Sequence, residues 1–266
     1  MVRLPPPAEL ADLVVHFWVP EWDLPPGRVE RQLVLTYPVV NLVVEADGVA
    51  VYGPHTSVSH RDLSGRGWAV GALLRPAAVP AVLATAPAAV DAVALVDGHR
   101  DLDEPDLLDA VHRVMRSTTT DRQARAAAEL GSWLTDRAVA APDRDGQLAN
   151  AVFDLIQADP SITKVAEAAR RLNVSTRTLQ RVTLRHTGFT PGALVRRRRL
   201  QDAADRLRRT PDADLAALAH ELGYADHAHL TRDFRTVLGL TPSDYRAEAA
   251  GAAEAAGSAS SSNLAR

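Results

Sequence analysis

The side chains best placed to do chemistry together are arginines and a glutamine near residue 180. Arg177, Gln180 and Arg181 stand at i, i+3 and i+4, a spacing that puts all three on one face of a helix. Arg185 follows one turn later. An arginine fork pairs bidentately with guanine, and a glutamine amide does the same with adenine. Fifty-one residues further on, Ala228, Thr231 and Arg232 repeat the spacing, flanked by His227 and Arg235. Small side chains such as Ala228 can touch the thymine methyl. The chemistry these two sets support is noncovalent reading of base edges.

The elements that must position them form a duplicated pattern. The offsets Leu179 to Leu230, Arg181 to Arg232, Gly188 to Gly239 and Pro191 to Pro242 are all 51. In the first copy Val165, Ala168, Ala169 and Leu172 make the inward stripe of a short helix that Ser161 or Thr163 can cap. Asn173 tolerates the left-handed backbone of a sharp turn. Ser175 then caps a second helix, with Leu179 and Val182 inward. In the second copy Leu215, Leu218, Ala219 and Leu222 form the stripe, and Gly223 supplies a positive φ. Asp226 is the cap, and Leu230, Phe234 and Val237 face inward. Each copy is a helix-turn-helix unit, whose second helix lies in the DNA major groove. Val195, Leu200, Ala203, Ala204 and Leu207 predict one long helix over Pro191–Arg209. Such a linker would hold two recognition helices about one turn of DNA apart, roughly 34 Å. The run Arg196–Arg199 reads equally as a solvated face with core ion pairs or as phosphate contact. Upstream, Val152, Leu155 and Ile156 predict a helix that starts near Leu148 and ends at Asp159-Pro160, after a linker at Pro142–Gly146.

Charge divides the chain in the same place. Residues 1–149 hold 13 arginines and 20 acidic residues, a net of −7, whereas residues 150–246 hold 16 basic and 11 acidic residues, a net of +5. A basic C-terminal half suits a phosphate backbone. The chain has no cysteine, which excludes disulfides, thiol catalysis and cysteine-ligated metal. Neither a signal peptide nor a membrane span is expected, and a cytoplasmic location is the default.

The N-terminal half reads as β-rich. Val14–Val19, Arg31–Tyr37, Asn41–Glu45, Val49–Tyr52 and Trp68–Leu74 are strand-like, with Asp47-Gly48 a hairpin signal. One or two short helices are expected within Pro76–Asp97. Leu107, Leu108, Val111, Val114 and Met115 predict an amphipathic helix, and Ala124, Ala127, Ala128, Leu130 and Leu134 a second. These two either form a dimer interface or pack on the β-rich part. The expected architecture is α+β in two domains. Residues 1–103 would form a small β-barrel or cupin-like domain with helices, and 104–141 a helical linker or dimerisation segment. Residues 148–248 would form an all-α domain of two helix-turn-helix units joined by a long helix, and 249–266 a disordered tail.

The C-terminal residues resemble the AraC/XylS family of bacterial transcription regulators. The resemblance covers about residues 150–246. It rests on the paired units, Leu179-Gln180-Arg181, Gly188–Pro191, Gly223-Tyr224 and the closing Gly239–Arg246. It implies that Arg177, Gln180 and Arg181 face bases in the first unit, and His227, Ala228, Thr231 and Arg232 in the second. Thr183 stands where the family usually has a phenylalanine, as Phe234 is in the second unit; Leu184 is the neighbour that would compensate. Residues 13–75 resemble the cupin-like N-terminal domains of one branch of these regulators, through Phe17-Trp18, Trp22–Leu24, Asn41–Val44 and Gly71–Pro76. What the resemblance implies is a regulator that binds double-stranded DNA and forms a homodimer, with a small-molecule effector in the N-terminal half. RNA polymerase would be a partner if it activates.

Trp18, Trp22 and Trp68 are candidates to line an effector pocket, or else pack in the core. His16, His55, His60 and His99 lack the convergent spacing of a metal site. The expectation is therefore no metal, no cofactor and no enzymatic activity. The alternatives are a DNA-binding module fused to a metal-dependent cupin-like enzyme, and a regulator whose N-terminal half only dimerises.

Overall fold

The computed structural model describes all residues except 35–37, 58, 84–91, 138–140 and 248–266. Its strands are β1 (Val2–Leu4), β2 (Val14–Val19), β3 (Glu21–Asp23), β4 (Val29–Val34), β5 (Asn41–Glu45), β6 (Gly48–Tyr52), β7 (Ser59–Ser64), β8 (Arg66–Leu74) and β9 (His99–Leu102). All pair antiparallel. The main sheet runs β1-β2-β8-β5-β6-β9, with β3 also on β8, while β4 and β7 form a separate ribbon. The expected strand at Arg31–Tyr37 begins two residues early, and its last three residues lie outside the described ones. In the β5–β6 hairpin Glu45 pairs with Gly48, so Ala46 and Asp47 make the turn and Gly48 already belongs to the strand.

One face of the sheet is the core. Phe17, Leu42, Val44, Val51, Val70, Ala72 and Leu74 pack there with Leu107, Val111 and Val114 of α2 (Pro105–Met115) and Leu130 and Leu134 of α3 (Arg122–Arg137). The helices beyond residue 104 thus complete the core of the sheet. Of the inward positions expected on α3, Ala124 and Ala128 are exposed; Ala126 and Trp133 are buried in their place. The bulky indole sets the rotation: Trp133 donates to Glu104 at 3.1 Å, and Arg137 lies over its ring. A short helix, α1 (Ala78–Leu83), follows β8. Of the stretch Pro76–Asp97, in which one or two short helices are expected, residues 84–91 lie outside the described residues, as does the whole of the tail expected over 249–266.

The C-terminal half is helical: α4 (Arg144–Ala158), α5 (Val165–Arg171), α6 (Thr176–Thr187), α7 (Pro191–Arg209), α8 (Leu215–Glu221), α9 (His227–Leu238) and a helical stretch over 242–247. The linker expected at Pro142–Gly146 is instead a helix start. Asp143 caps α4 by accepting from the Gly146 N–H at 2.8 Å, and the helix begins four residues before Leu148. Leu194 and Val195 of α7 join one core with Val152, Ile156, Ala168, Ala169 and Leu179. Leu200, Ala203, Ala204 and Leu207 of the same helix join another with Leu218, Leu230 and Phe234. One helix therefore supplies part of both hydrophobic cores, with the bounds its periodicity predicts.

The N-terminal half sits on the first unit. Asn150 of α4 donates to the Asp12 carbonyl at 2.8 Å and accepts from the Ala77 N–H at 3.0 Å. Phe153 packs against Val39 and Leu73, and Arg75 pairs with Asp154.

Candidate nucleic-acid interface

Local chemistry builds each reading helix. Asn173 takes φ 52° and Gly223 φ 74°, so both turns use the left-handed region at equivalent places. Ser175 caps α6 by accepting from the Thr178 N–H at 3.1 Å, and Asp226 caps α9 by accepting from His229 at 2.7 Å. Gly188 and Gly239, both left-handed, end the two helices. The cap expected for α5 is absent: Lys164 holds that position without a side-chain bond, and the Ser161 N–H instead donates to Asp159 at 2.8 Å. Asp159 also holds Arg171, which donates to the Ser161 hydroxyl as well at 3.3 Å, so the chain entering α5 is fixed mainly by a carboxylate.

The two faces point outward. Arg177, Gln180, Arg181 and Arg185 on α6 are exposed, as are His227, Ala228, Arg232 and Arg235 on α9, with Thr231 half-buried. Among the described residues Arg177, Arg232 and Arg235 have no carboxylate within 4.0 Å, the limit for an ion pair. Arg181 differs. Its Nη1 and Nη2 donate to the two carboxylate oxygens of Asp145 on α4, at 2.8 and 3.3 Å. Arg185 stands 3.9 Å from the same carboxylate. The Arg181 hydrogen bonds hold the Asp145 carboxyl below its usual range. Both terminal nitrogens that would grip a guanine are thus already engaged.

Residues 168–248 match a family model described as a helix-turn-helix domain, and residues 2–92 one described as a domain of unknown function, DUF6597. The transcriptional activator RhaS of Pectobacterium carotovorum is 35% identical over 81 residues, 30% of this chain and 29% of that protein. The regulator RipA of Corynebacterium glutamicum is 32% identical over 118 residues, 44% of this chain and 35% of that one. The C-terminal domain is of the AraC/XylS type. The match spans about a third of the length of these relatives. Among solved structures, ToxT of Vibrio cholerae aligns over 86% of this chain and 96% of its own, at 12% identity and a TM-score of 0.46. The C-terminal domain of AraT from Geobacillus stearothermophilus aligns over 40% of this chain and 88% of its own, at 23% identity and a TM-score of 0.36.

Within this AraC/XylS-type domain the four-arginine run resolves into four different fates. Arg196 lies 3.8 Å from Asp233 on the outside. Arg197 is buried, donates to the His55 carbonyl and lies 4.7 Å from the centre of the Phe189 ring. Arg198 is buried between Asp202, at 2.5 Å, and the Pro160 carbonyl. Arg199 stacks 3.7 Å from the Tyr224 ring centre. Three of the four are therefore structural, and only Arg196 keeps an exposed head. Thr183 is fully buried with a hydroxyl that finds no partner, and Leu184 faces solvent. Leu184 cannot then fill the space that Phe234 fills in the second unit.

The structure does not gather the three tryptophans. Trp18 pairs across from Gly71 and covers it, and Trp22 covers Gly67 in the same way. A side chain at either glycine would collide with an indole, at 2.1 and 2.3 Å. Trp68 alternates with Gly67 and so points to the opposite face, where it packs on the core and meets His112 edge-on. The four N-terminal histidines do not converge either: His99 stacks on Tyr52, and His55 lies 3.6 Å from Asp97. Among the described residues no three His, Asp or Glu side chains cluster as metal ligands would.

Asp145 and Leu184 are the residues beside the candidate face that sequence reasoning missed. Asp145 carries no signal in the sequence, since its pairing is tertiary. Leu184 does carry one: it stands 51 residues before Arg235, in the stripe of Arg177 and Arg181.

Proposed function

We propose that this chain is a sequence-specific DNA-binding regulator of transcription that reads the major groove with α6 and α9. The observation that carries the reading is the pair of outward faces, Arg177-Gln180-Arg181 and Ala228-Thr231-Arg232. Both are built on capped helices behind left-handed turns, and one rigid helix ties their cores together. Phosphate contacts would orient the domain and base contacts specify the site. Because the two faces differ, a single chain should prefer a non-palindromic sequence. The N-terminal domain would bind a small-molecule effector and join two copies as a homodimer; an activating role would bring in RNA polymerase. No catalytic role is assigned. Among the described residues no helix is long and apolar enough to cross a membrane, and a cytoplasmic location fits a protein that meets DNA.

The test is fluorescence anisotropy on a duplex enriched from a randomised pool by the full chain. Arg181→Ala and Arg232→Ala should each weaken binding about 5- to 150-fold and relax preference at different base pairs. Equal weakening on every sequence would make them phosphate contacts and overturn their assigned role.

Asp145→Asn gives a second, opposite expectation. The carboxylate occupies the fork of Arg181 and adds a negative charge beside the groove-facing surface. An exposed ion pair of this kind is weak, so its removal should strengthen binding only about three- to tenfold, most at low salt. Weaker binding by Asp145→Asn would mean that the carboxylate steadies Arg181 in its reading pose.

A further inference from the structure

The outward stripe of α6 ends in a hydrocarbon. Leu184 is 42% exposed, and the other exposed large hydrophobic side chains among the described residues, Met1, Val2, Val29 and Val93, all belong to the N-terminal domain. A lone surface leucine is ordinary on its own. This one lies at i+7 from Arg177, i+4 from Gln180 and i+3 from Arg181, so it continues the face those residues form. Its equivalent in the second unit is the exposed Arg235. Burial was available one residue away on α6, where the fold encloses Thr183 with its hydroxyl unpaired and turns Leu184 out. The two faces share an arginine at Arg181 and Arg232, and at this position they differ by an isobutyl group against a guanidinium.

Resting on the DNA-binding reading above, we propose that Leu184 is a specificity-determining residue that selects thymine at one position by covering its 5-methyl group. The major-groove edge of a base pair offers nitrogen and oxygen acceptors, amino donors and, on thymine alone, a methyl. Leucine can pair with none of the polar groups. Pressed against them it removes water without replacing the lost hydrogen bonds. Against the methyl it shares apolar surface that both partners otherwise expose. Having no charge, it adds nothing to phosphate binding or to salt dependence.

The experiment uses the full chain and a duplex it has enriched from a randomised pool, with each thymine replaced singly by deoxyuridine. That change removes the methyl and leaves the pairing edge and O4 intact. The wild-type chain should lose about three- to fivefold in affinity at one position, the worth of one covered methyl. Leu184→Ala should lose nothing at that position, while uridine penalties elsewhere, including any under Ala228 or Thr231, persist. Leu184→Ala should melt within a few degrees of the parent, because no hydrophobic core includes the side chain. Uridine penalties identical in the two proteins at every position, or none in the wild type, would overturn the proposal. A chain that enriches no duplex at all would overturn the DNA-binding reading instead.

Discussion

Phe234→Ala should cost about 3–5 kcal/mol of stability and remove base reading by the second unit, the range for emptying a large aromatic from a core. Phe234 is fully buried among Leu200, Leu207, Leu218, Leu230 and Val237. Its ring meets Tyr245 edge-on, with centroids 5.5 Å apart. Tyr245 in turn accepts a hydrogen bond from Arg208 of α7 at 3.0 Å. Losing the ring therefore opens a cavity under α9 and frees the closing segment at Tyr245 together. Helical signal and melting temperature should both fall. The equivalent change in the first unit should act in the other direction. Thr183 occupies that place with an unpaired buried hydroxyl, and Thr183→Val replaces it with a methyl of similar size. A buried polar group without a partner costs about 1–3 kcal/mol, so Thr183→Val should raise stability by about 1 kcal/mol. Chemical denaturation of both variants checks the pair. A destabilising Thr183→Val would mean that the hydroxyl is satisfied by a bound water.

That asymmetry shows which features a sequence discloses. Caps and turns at Ser175, Asp226, Asn173 and Gly223 could be read because each is a bond or a φ value within a few residues. The stripe of α7 could be read because five apolar positions keep one period over nineteen residues. Strand β7, and with it the pairing of the β4–β7 ribbon, could not. Ser59–Ser64 is almost wholly polar, and its pairing rests on cross-strand partners such as Arg31 and Asp62, which are directly opposite and 2.7 Å apart. Nor could the faces of the tryptophans. The register of β2 on β8 shifts between Val14 and His16, so alternation counted from the start of β2 misplaces Phe17 and Trp18. Four consecutive arginines carry no local mark of which is buried. Arg197, Arg198 and Arg199 are sorted by the His55 carbonyl, the Pro160 carbonyl and the Tyr224 ring, which the fold brings in from elsewhere in the chain.

Arg197→Ala should then cost about 2–4 kcal/mol, although it belongs to a run that composition alone would give to phosphate. The side chain leaves α7 and enters the N-terminal domain, where it donates to the His55 carbonyl beside Asp97. Burial pulls its pKa down to about 10 against the favourable pull of Asp97, so the guanidinium is still charged at neutral pH. The receiving loop is held by hydrogen bonds and close packing. Asp97 sits at φ 58° and accepts both the N–H and the hydroxyl of Thr56 at 2.6 Å. Ala92 and Val96 press so close on Gly188 that a Cβ there would approach Val96 to 2.5 Å. A charged hydrogen bond of this kind contributes about 1.5–3 kcal/mol, and loss of the stem over Phe189 adds packing. Arg196→Ala is the control. Its head is exposed and 3.8 Å from Asp233, so it should change stability by less than about 0.5 kcal/mol. Hydrogen exchange should rise at residues 53–56 and 92–98 in Arg197→Ala and stay unchanged in Arg196→Ala, with DNA affinity within about twofold of wild type in the former. A loss of DNA affinity as large as that of Arg181→Ala, without faster exchange in the N-terminal loop, would assign Arg197 to phosphate and remove the tie between the domains.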